Sequence, residues 1–153
     1  MKKIPALFVV ITALILSSTA FAQNTKPAAV INHVAINVVD LQKSGDFYIN
    51  VIGLDTIPEP FHDNAHIWLR IGPGAAMHII AGAPAHKEYY KNSHTCFSVG
   101  SMDTFIDKLK KRSIPFEDVA GKKSVFSTRV DGVKQLWLQD PDGYWLEIND
   151  AKF

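Results

Sequence analysis

The feature that most constrains this chain is a strand-to-helix pattern that occurs twice. The stretch HVAINVVD at residues 33–40 is similar to HTCFSVGS at residues 94–101. Each copy begins with histidine, continues as a strand (31–39 and 94–99) and ends in a residue that can cap a helix. Helices are predicted over 41–52 and 102–112, where apolar residues recur at helical spacing.

Short strands are predicted after each helix. In the first copy they cover Asp55 to Ile57, 65–71 and 76–81, and in the second they cover 116–119, 125–130, 133–139 and 144–149. The sequence Asp140-Pro-Asp-Gly143 reads as a hairpin turn, and residues 82–92 read as a linker. The predicted fold class is α+β, with two βαβββ modules at about 31–82 and 93–150 in one domain over 31–153.

The predicted strands have two unlike faces, because successive side chains of a strand point to opposite sides. In the last strand Leu146 and Ile148 share one face, while Trp145 and Glu147 share the other. The aliphatic faces suit cover by a helix, and the polar and aromatic faces suit the lining of a cavity. Candidate substrate-contacting residues on the cavity faces are Asn37, Trp68, Arg70, Gln135, Trp137 and Trp145.

Two modules with their polar faces turned inward would bring four ionisable residues together: His33, His78, His94 and Glu147. His78 follows His33 by 45 residues and Glu147 follows His94 by 53, as a repeat with one longer loop would give. Three imidazoles and one carboxylate suit a divalent ion such as zinc, nickel, iron or manganese. An ion would also explain why Glu147 lies in an apolar strand. A core histidine bonded to the backbone is the alternative for His33 or His94 taken singly.

Three stretches carry a family resemblance: HVAINVVDLQKSGDFYINVIGL, the restart HTCFSV and the ending LWLQDPDGYWLEIND. They resemble the vicinal oxygen chelate superfamily, which includes glyoxalase I, fosfomycin-resistance and extradiol dioxygenase-like proteins. The resemblance implies a strongly curved mixed sheet around a divalent metal, zinc or nickel before iron or manganese, with helices on the outer face. It implies ligands at His33, His78, His94 and Glu147, and a homodimer, because many relatives build the site from two chains.

The resemblance further implies a lyase or isomerase of the glyoxalase type, similar to lactoylglutathione lyase, that acts on a small oxygenated substrate. Glu147 would be its catalytic base. His78 departs from the glyoxalase I pattern, which has a second glutamate there. Two alternatives stay open: a ring-cleaving extradiol dioxygenase using His33, His94 and Glu147, and a non-catalytic protein that binds metal or ligand.

The first 22 residues predict a cleaved secretory signal peptide. A basic start is followed by an apolar run of thirteen residues, 4–16, and a small-x-small ending at Ala22. A membrane-spanning helix needs about 20 apolar residues, so no membrane anchor is expected. The product should be periplasmic or secreted, with residues 23–30 as a flexible lead-in. Export argues against fosfomycin-type thiol transfer, which depends on intracellular thiols, and against ordinary glutathione-dependent glyoxalase activity.

Two further features limit partners and chemistry. Loss of Lys2 and Lys3 changes the formal charge from +1 to −1, so no electrostatic footprint for nucleic acid is expected. Cys96 is the single cysteine, which excludes an internal disulfide. It is predicted to be an inert, buried thiol.

Overall fold

The repeat is present as two mixed β-sheets in the computed structural model, which describes residues 29–152. The first sheet has the order β1-β3-β2 and the second β4-β7-β6-β5. In both, the first and last strands of the module run parallel and the remaining pairs antiparallel. The elements are β1 His33–Val38, α1 Leu41–Asp46, a π-helix Phe47–Ile52, β2 His66–Gly72, β3 Ala75–Ala81, β4 His94–Ser98, α2 Met102–Lys111, β5 Ser127–Thr128, β6 Lys134–Gln139 and β7 Trp145–Asn149. The α+β class with two modules is confirmed; the predicted signal peptide lies outside the described residues.

Three predicted strands are wrong or shortened. Asp55 to Ile57 contributes only an isolated bridge between Thr56 and Leu69. The segment 116–119 contributes bridges from Glu117, and 125–130 is reduced to β5. Each of these segments lies beside one of the longer strands. Whether such a short segment forms a full ladder of hydrogen bonds with its neighbour depends on side-chain packing, which a short alternating pattern does not specify.

The first helix begins as predicted but continues differently. Asp40 caps α1 by accepting a hydrogen bond from the Lys43 backbone N–H. From Phe47 the turns widen into a π-helix, which ends at Gly53 in the left-handed region with φ 95°. π-helical turns are rare in proteins and are often found at functional sites. Here the fully buried Tyr48 lies within the widened turns.

The two modules share one apolar core beneath the helices. The aliphatic strand faces supply most of it, as the alternation predicts. Helix α2 is capped by Ser101 and adds its buried face to the same cluster. The fully buried aliphatic side chains on the strands are Val38, Leu69, Ile79, Leu136, Leu138, Leu146 and Ile148. Within residues 29–152, the helices are too short and too polar to cross a bilayer.

The turn at residues 140–143 does more than join β6 to β7. Asp142 is 4% exposed and accepts hydrogen bonds from the Val39 backbone N–H, at 2.7 Å, and from the Ser44 hydroxyl, at 2.5 Å. Asp140 accepts a 2.8 Å hydrogen bond from the Tyr48 hydroxyl. Both carboxylates belong to the second module and all these donors to the first. The turn therefore fixes the first helix onto the second sheet, a role that its sequence alone did not indicate.

Candidate metal centre and active site

The first half of the candidate site lies on the polar face of the first sheet. His78 on β3 pairs with Ala35 on β1 and with Trp68 on β2. His33 lies two residues before Ala35, on the same face. The His78 ring stacks on Trp68 at 4.3 Å between centroids and lies 6.2 Å from the His33 ring. We call His33, Trp68 and His78 the first half-site.

The second half has the same register on the second sheet. Glu147 on β7 pairs with Cys96 on β4 and with Trp137 on β6. His94 lies two residues before Cys96, just as His33 lies two residues before Ala35. Its ring contacts Trp137 at 4.3 Å between centroids. We call His94, Trp137 and Glu147 the second half-site. The repeat seen in the sequence thus extends to equivalent register positions on the two sheets.

Unpaired polar atoms concentrate in the half-sites. In residues 29–152, the buried side-chain nitrogen and oxygen atoms that lack a hydrogen-bond partner are Trp68 Nε1, His78 Nε2 and Trp137 Nε1. A buried polar atom without a hydrogen bond lowers the stability of a protein by about 1–3 kcal/mol. Such atoms are therefore rare in folded proteins unless they have a function. Burial lowers the pKa of His78, and His66 and His33 act in the same direction. Its imidazole is therefore neutral at neutral pH, which is the form that binds a metal.

The tautomer of His94 follows from its neighbours. Nδ1 lies 3.1 Å from the Lys91 carbonyl oxygen. Because a carbonyl can only accept, Nδ1 must carry the proton and Nε2 of the neutral ring is left with its lone pair. Nε2 faces Glu147 Oε2 at 3.5 Å. Two ligand atoms on a tetrahedral zinc ion lie about 3.4 Å apart, so this pair fits a divalent cation.

Glu147 is buried, with 8% of the residue exposed, as the sequence predicts. Its Oε1 accepts a 3.0 Å hydrogen bond from the Asn149 amide, which also lies 3.1 Å from Cys96 Sγ. Asn149 in turn accepts through its oxygen from the Ser98 hydroxyl. This chain of contacts fixes the Glu147 carboxylate on the face that carries His94.

Within one chain the four predicted ligands lie in two separate pairs and do not form a single cluster. The His33 and His78 ring centroids are 6.2 Å apart, and His94 Nε2 lies 3.5 Å from Glu147 Oε2. Within the described range, the one group of three or more His, Cys, Asp or Glu side chains with ligand atoms mutually within 4.8 Å consists of Glu59, Asp63 and His66. These three could hold a metal ion. None of the three was among the ligands predicted from the sequence.

The prediction that Cys96 is buried is wrong. The residue is solvent-exposed, because it lies on the polar face of edge strand β4. Its thiol is nevertheless partly covered, and this burial, followed by the nearby charge of Glu147, raises the pKa of Cys96 to about 12. The thiol therefore stays protonated at neutral pH and is a poor nucleophile.

The substrate-contacting candidates of the first module differ in their surroundings. Trp68 and Arg70 line a cavity of about 290 Å³ together with Asn32, Ile57 and Pro58. The Asn37 amide instead donates to two backbone carbonyls near the end of β3, at 3.0 and 3.1 Å. Its side chain is engaged in holding the strands together.

In the second module, Trp137 and Trp145 line a small cavity of about 60 Å³. The Trp145 indole N–H donates to the Tyr89 carbonyl at 3.0 Å, whereas that of Trp137 is unpaired. Gln135 lies 3.4 Å from the Ser127 hydroxyl. Substrate roles for all six residues stay predictions.

An ion-pair cluster centred on the buried Glu117 lies beside His94 and was not predicted from the sequence. Glu117 is 7% exposed and binds Lys91 at 2.5 Å and also Lys123. Burial would raise the pKa of Glu117, but the hydrogen bonds from Lys123 and Lys91 outweigh it and lower the pKa. The Lys91 ammonium also lies 4.9 Å from the Trp145 ring centroid. Glu117 thereby anchors the residue whose carbonyl sets the His94 tautomer.

Comparison with known proteins defines the class. The sequence-family model of the Glyoxalase/Bleomycin resistance protein/Dioxygenase superfamily matches residues 30–148 of this chain. The chain therefore belongs to this superfamily, and the resemblance found in the sequence is confirmed.

Individual relatives within the superfamily are distant. A lactoylglutathione lyase of Pseudomonas putida is 23% identical over 163 aligned positions, which cover 85% of this chain and 90% of the relative. Metallothiol transferase FosB of Staphylococcus haemolyticus is 26% identical over 115 positions, covering 68% of this chain and 78% of the relative. Among solved structures, the oxidase ChaP-H2 superposes with a TM-score of 0.68 at 20% identity, covering 82% of this chain and 96% of that one. This structural similarity establishes the shared fold.

Proposed function

We propose that this chain is an exported, divalent-metal-dependent lyase or isomerase of the glyoxalase type, acting on a small oxygenated substrate. The observation that carries the proposal is the pair of half-sites in identical register, each with a histidine, a second metal-ligating side chain and an unpaired tryptophan N–H. The similarity to a lactoylglutathione lyase along most of both chains supports the same reaction class.

Zinc or nickel would be held by His33, His78, His94 and Glu147, a donor set of three imidazoles and one carboxylate. Such an ion supplies positive charge that stabilises an oxyanion or enolate on the substrate. The orphaned His78 Nε2 and the facing His94 Nε2 and Glu147 Oε2 are the local features that fit it.

Glu147 is the proposed base. Glyoxalase-type isomerisation removes a proton from one carbon of the substrate and returns it to the neighbouring carbon, with no net oxidation. Because Asn149 holds only Oε1, the second oxygen of Glu147 faces the site and can accept the proton. With a histidine at position 78 in place of a second glutamate, Glu147 would serve both transfers.

The complete site is proposed to form between two chains of a homodimer. Each chain carries two half-sites that its own fold leaves as separate pairs, so a twofold partner would join the first half-site of one chain to the second half-site of the other. Each dimer would then have two equal sites.

Mixing two inactive variants tests this arrangement. One chain carries His33→Ala with His78→Ala, and the other carries His94→Ala with Glu147→Gln. Random pairing makes half of the dimers mixed, each with one intact site, so we expect about a quarter of wild-type activity. Each variant alone stays inactive. Absence of recovery from co-refolded chains that are shown to form mixed dimers would rule out a shared site.

Metal analysis and two assays test the reaction class. The chain from Gln23 onward is purified, its metal content measured, and its activity followed on a hemithioacetal formed by a 2-oxoaldehyde and a small thiol. We expect bound zinc or nickel, thioester formation and no oxygen uptake. Iron(II) with oxygen uptake on catechols would replace the lyase assignment by a ring-cleaving oxygenase. If the protein binds no metal under any reconstitution condition, the remaining assignment is a non-catalytic binding protein.

The Glu117 cluster yields a prediction on metal affinity. Replacing Glu117 by Gln removes the anion that anchors Lys91, so the Lys91 carbonyl no longer fixes the His94 ring. We expect zinc affinity to fall about ten-fold, measured by competition with a chromophoric chelator. The ring ¹⁵N shifts of His94 should show mixed tautomers.

Lys123→Ala is the matched control for Glu117→Gln. Lys123 is 73% exposed at its side chain, and its removal leaves the Lys91 pair with Glu117 in place. Zinc affinity and ring shifts should stay at wild-type values. Equal behaviour of both variants would contradict a positioning role for Glu117.

Export is proposed from the N-terminal sequence. The precursor expressed with residues 1–22 in a Gram-negative host should appear in the periplasmic fraction with an intact mass that starts at Gln23. A full-length mass in the cytosolic fraction would contradict export.

A further inference from the structure

The cavity of about 290 Å³ borders the first half-site along one row of the first sheet. Ala76 on β3 pairs with His33 on β1 and with Arg70 on β2, so the three side chains lie side by side on one face. Neighbouring strands are about 4.8 Å apart, and His33 and Arg70 are two such spacings from each other. Because Ala76 between them is small, it leaves open space between the histidine and the guanidinium.

The second module fills the equivalent place. The matching row of the second sheet consists of His94, Trp145 and Gln139. Trp145 takes the place of Ala76, and the cavity beside this row has only about 60 Å³. Gln139 takes the place of Arg70, and its amide donates to the Gly143 carbonyl at 2.9 Å. The repeat thus keeps the histidine and differs beside it, and it is the first module that has room for a small molecule.

Two hydrogen-bond donors along the cavity have no acceptor within residues 29–152. Arg70 is exposed, and its guanidinium forms neither a hydrogen bond nor an ion pair there, whereas Arg129 pairs with Asp131 at 2.6 Å. The second donor is the buried Trp68 Nε1. A cation and an indole N–H that line one cavity favour a ligand with negatively charged oxygen atoms.

Asn32 connects this cavity to His33. It lines the cavity, and its Oδ1 lies 2.8 Å from His33 Nδ1. Because an amide oxygen can only accept, Nδ1 carries the proton and Nε2 of the neutral ring keeps its lone pair. His33 therefore has the same tautomer as His94, and the cavity lies directly beside a proposed metal ligand.

We propose that the substrate of this site is a small carboxylic acid whose carboxylate binds Arg70 in the cavity, while its other oxygen atoms bind the metal held at His33. The inference rests on the proposed lyase site. A guanidinium can bind a carboxylate through two parallel N–H donors, and one cation balances the single charge of a carboxylate. The cavity volume lies at the lower end of the range for ligand pockets, about 300–1,000 Å³, which limits the size of the acid.

Binding of two matched acids tests the proposal. 2-Oxoglutarate and 2-oxopentanoate share a chelating 2-oxo acid end and a carbon chain of equal length, but 2-oxoglutarate has a second carboxylate. Calorimetry is carried out on the chain from Gln23 onward in the presence of zinc. We expect 2-oxoglutarate to bind at least about ten-fold more tightly. Arg70→Gln should abolish this preference, and Arg70→Lys should keep part of it, since Lys retains the charge without the planar fork.

Two further variants locate the effect. Arg112→Gln is the matched control, because Arg112 is also exposed but lies at the end of α2, outside the lining of the cavity. It should keep the full preference for 2-oxoglutarate. Ala76→Leu fills the floor of the cavity, so it should weaken the binding of both acids and leave the zinc content unchanged.

Four results would overturn the proposal. They are equal binding of the two acids to the wild type, a preference that survives Arg70→Gln, unchanged binding of both acids to Ala76→Leu, and displacement of 2-oxoglutarate by an equal concentration of inorganic phosphate. Failure of the lyase assignment has a different signature: the zinc-loaded protein would show the preference for 2-oxoglutarate yet form no thioester from the hemithioacetal.

Discussion

Glu147→Gln is expected to lower kcat by about 10²- to 10⁴-fold, the range that a positioned general base contributes. This corresponds to about 3–5 kcal/mol of transition-state stabilisation. The amide cannot accept the substrate proton, yet its oxygen can still accept from Asn149, so the side chain should keep its place on β7. Steady-state kinetics under metal saturation measure the effect.

The test needs protein that is folded and loaded with metal. Thermal unfolding of Glu147→Gln should stay close to wild type, and Glu88→Gln, an exposed carboxylate in the linker, should keep full activity. If Glu147→Gln holds metal and retains more than about a tenth of wild-type kcat, Glu147 is not the base. The proton transfer would then have to be assigned to another group.

Asp142→Ala is expected to lower the free energy of unfolding by about 3 kcal/mol, because it leaves the buried Val39 N–H and the Ser44 hydroxyl without their charged acceptor. For a chain of this size the midpoint of thermal unfolding should fall by about 10 °C. Asp142→Asn keeps an oxygen that can accept the hydrogen bond from the Val39 N–H, so it should lower the free energy of unfolding by about half as much as Asp142→Ala. Chemical denaturation at neutral pH measures both.

Asp131→Ala is the matched control for Asp142→Ala. Asp131 also accepts a backbone N–H and pairs with Arg129, but its side chain is 48% exposed. Solvent can replace its contacts, so the loss of stability should be much smaller than that of Asp142→Ala. Equal losses in the two variants would show that the 140–143 turn has no special role in joining the modules.

The sequence predicted the strand faces well because alternation depends only on the local geometry of an extended backbone. Leu146 and Ile148 are buried in the core, and Glu147 lies on the opposite face with Trp145, as expected. The helix caps at Asp40 and Ser101 were predicted for the same reason, since a cap is formed within a few residues.

Predictions about features that depend on residues distant in the sequence were less accurate. The π-helix at 47–52 contains Tyr48, whose hydroxyl contacts Asp140, 92 residues away. The exposure of Cys96 depends on its position at the edge of a sheet. Neither can be read from a short pattern, because the energies involved come from tertiary contacts.

By itself, then, the amino-acid sequence determined the two-module repeat, the family, the facing of each strand and the four residues proposed as ligands. The tertiary structure decided that His33 pairs with His78 and His94 with Glu147, that the turn at 140–143 fixes one module to the other, and that Glu59, Asp63 and His66 lie together. The physical reason is that local backbone geometry orders side chains along a strand, whereas distances between strands and loops are set by long-range packing and by the burial of polar groups that must find partners.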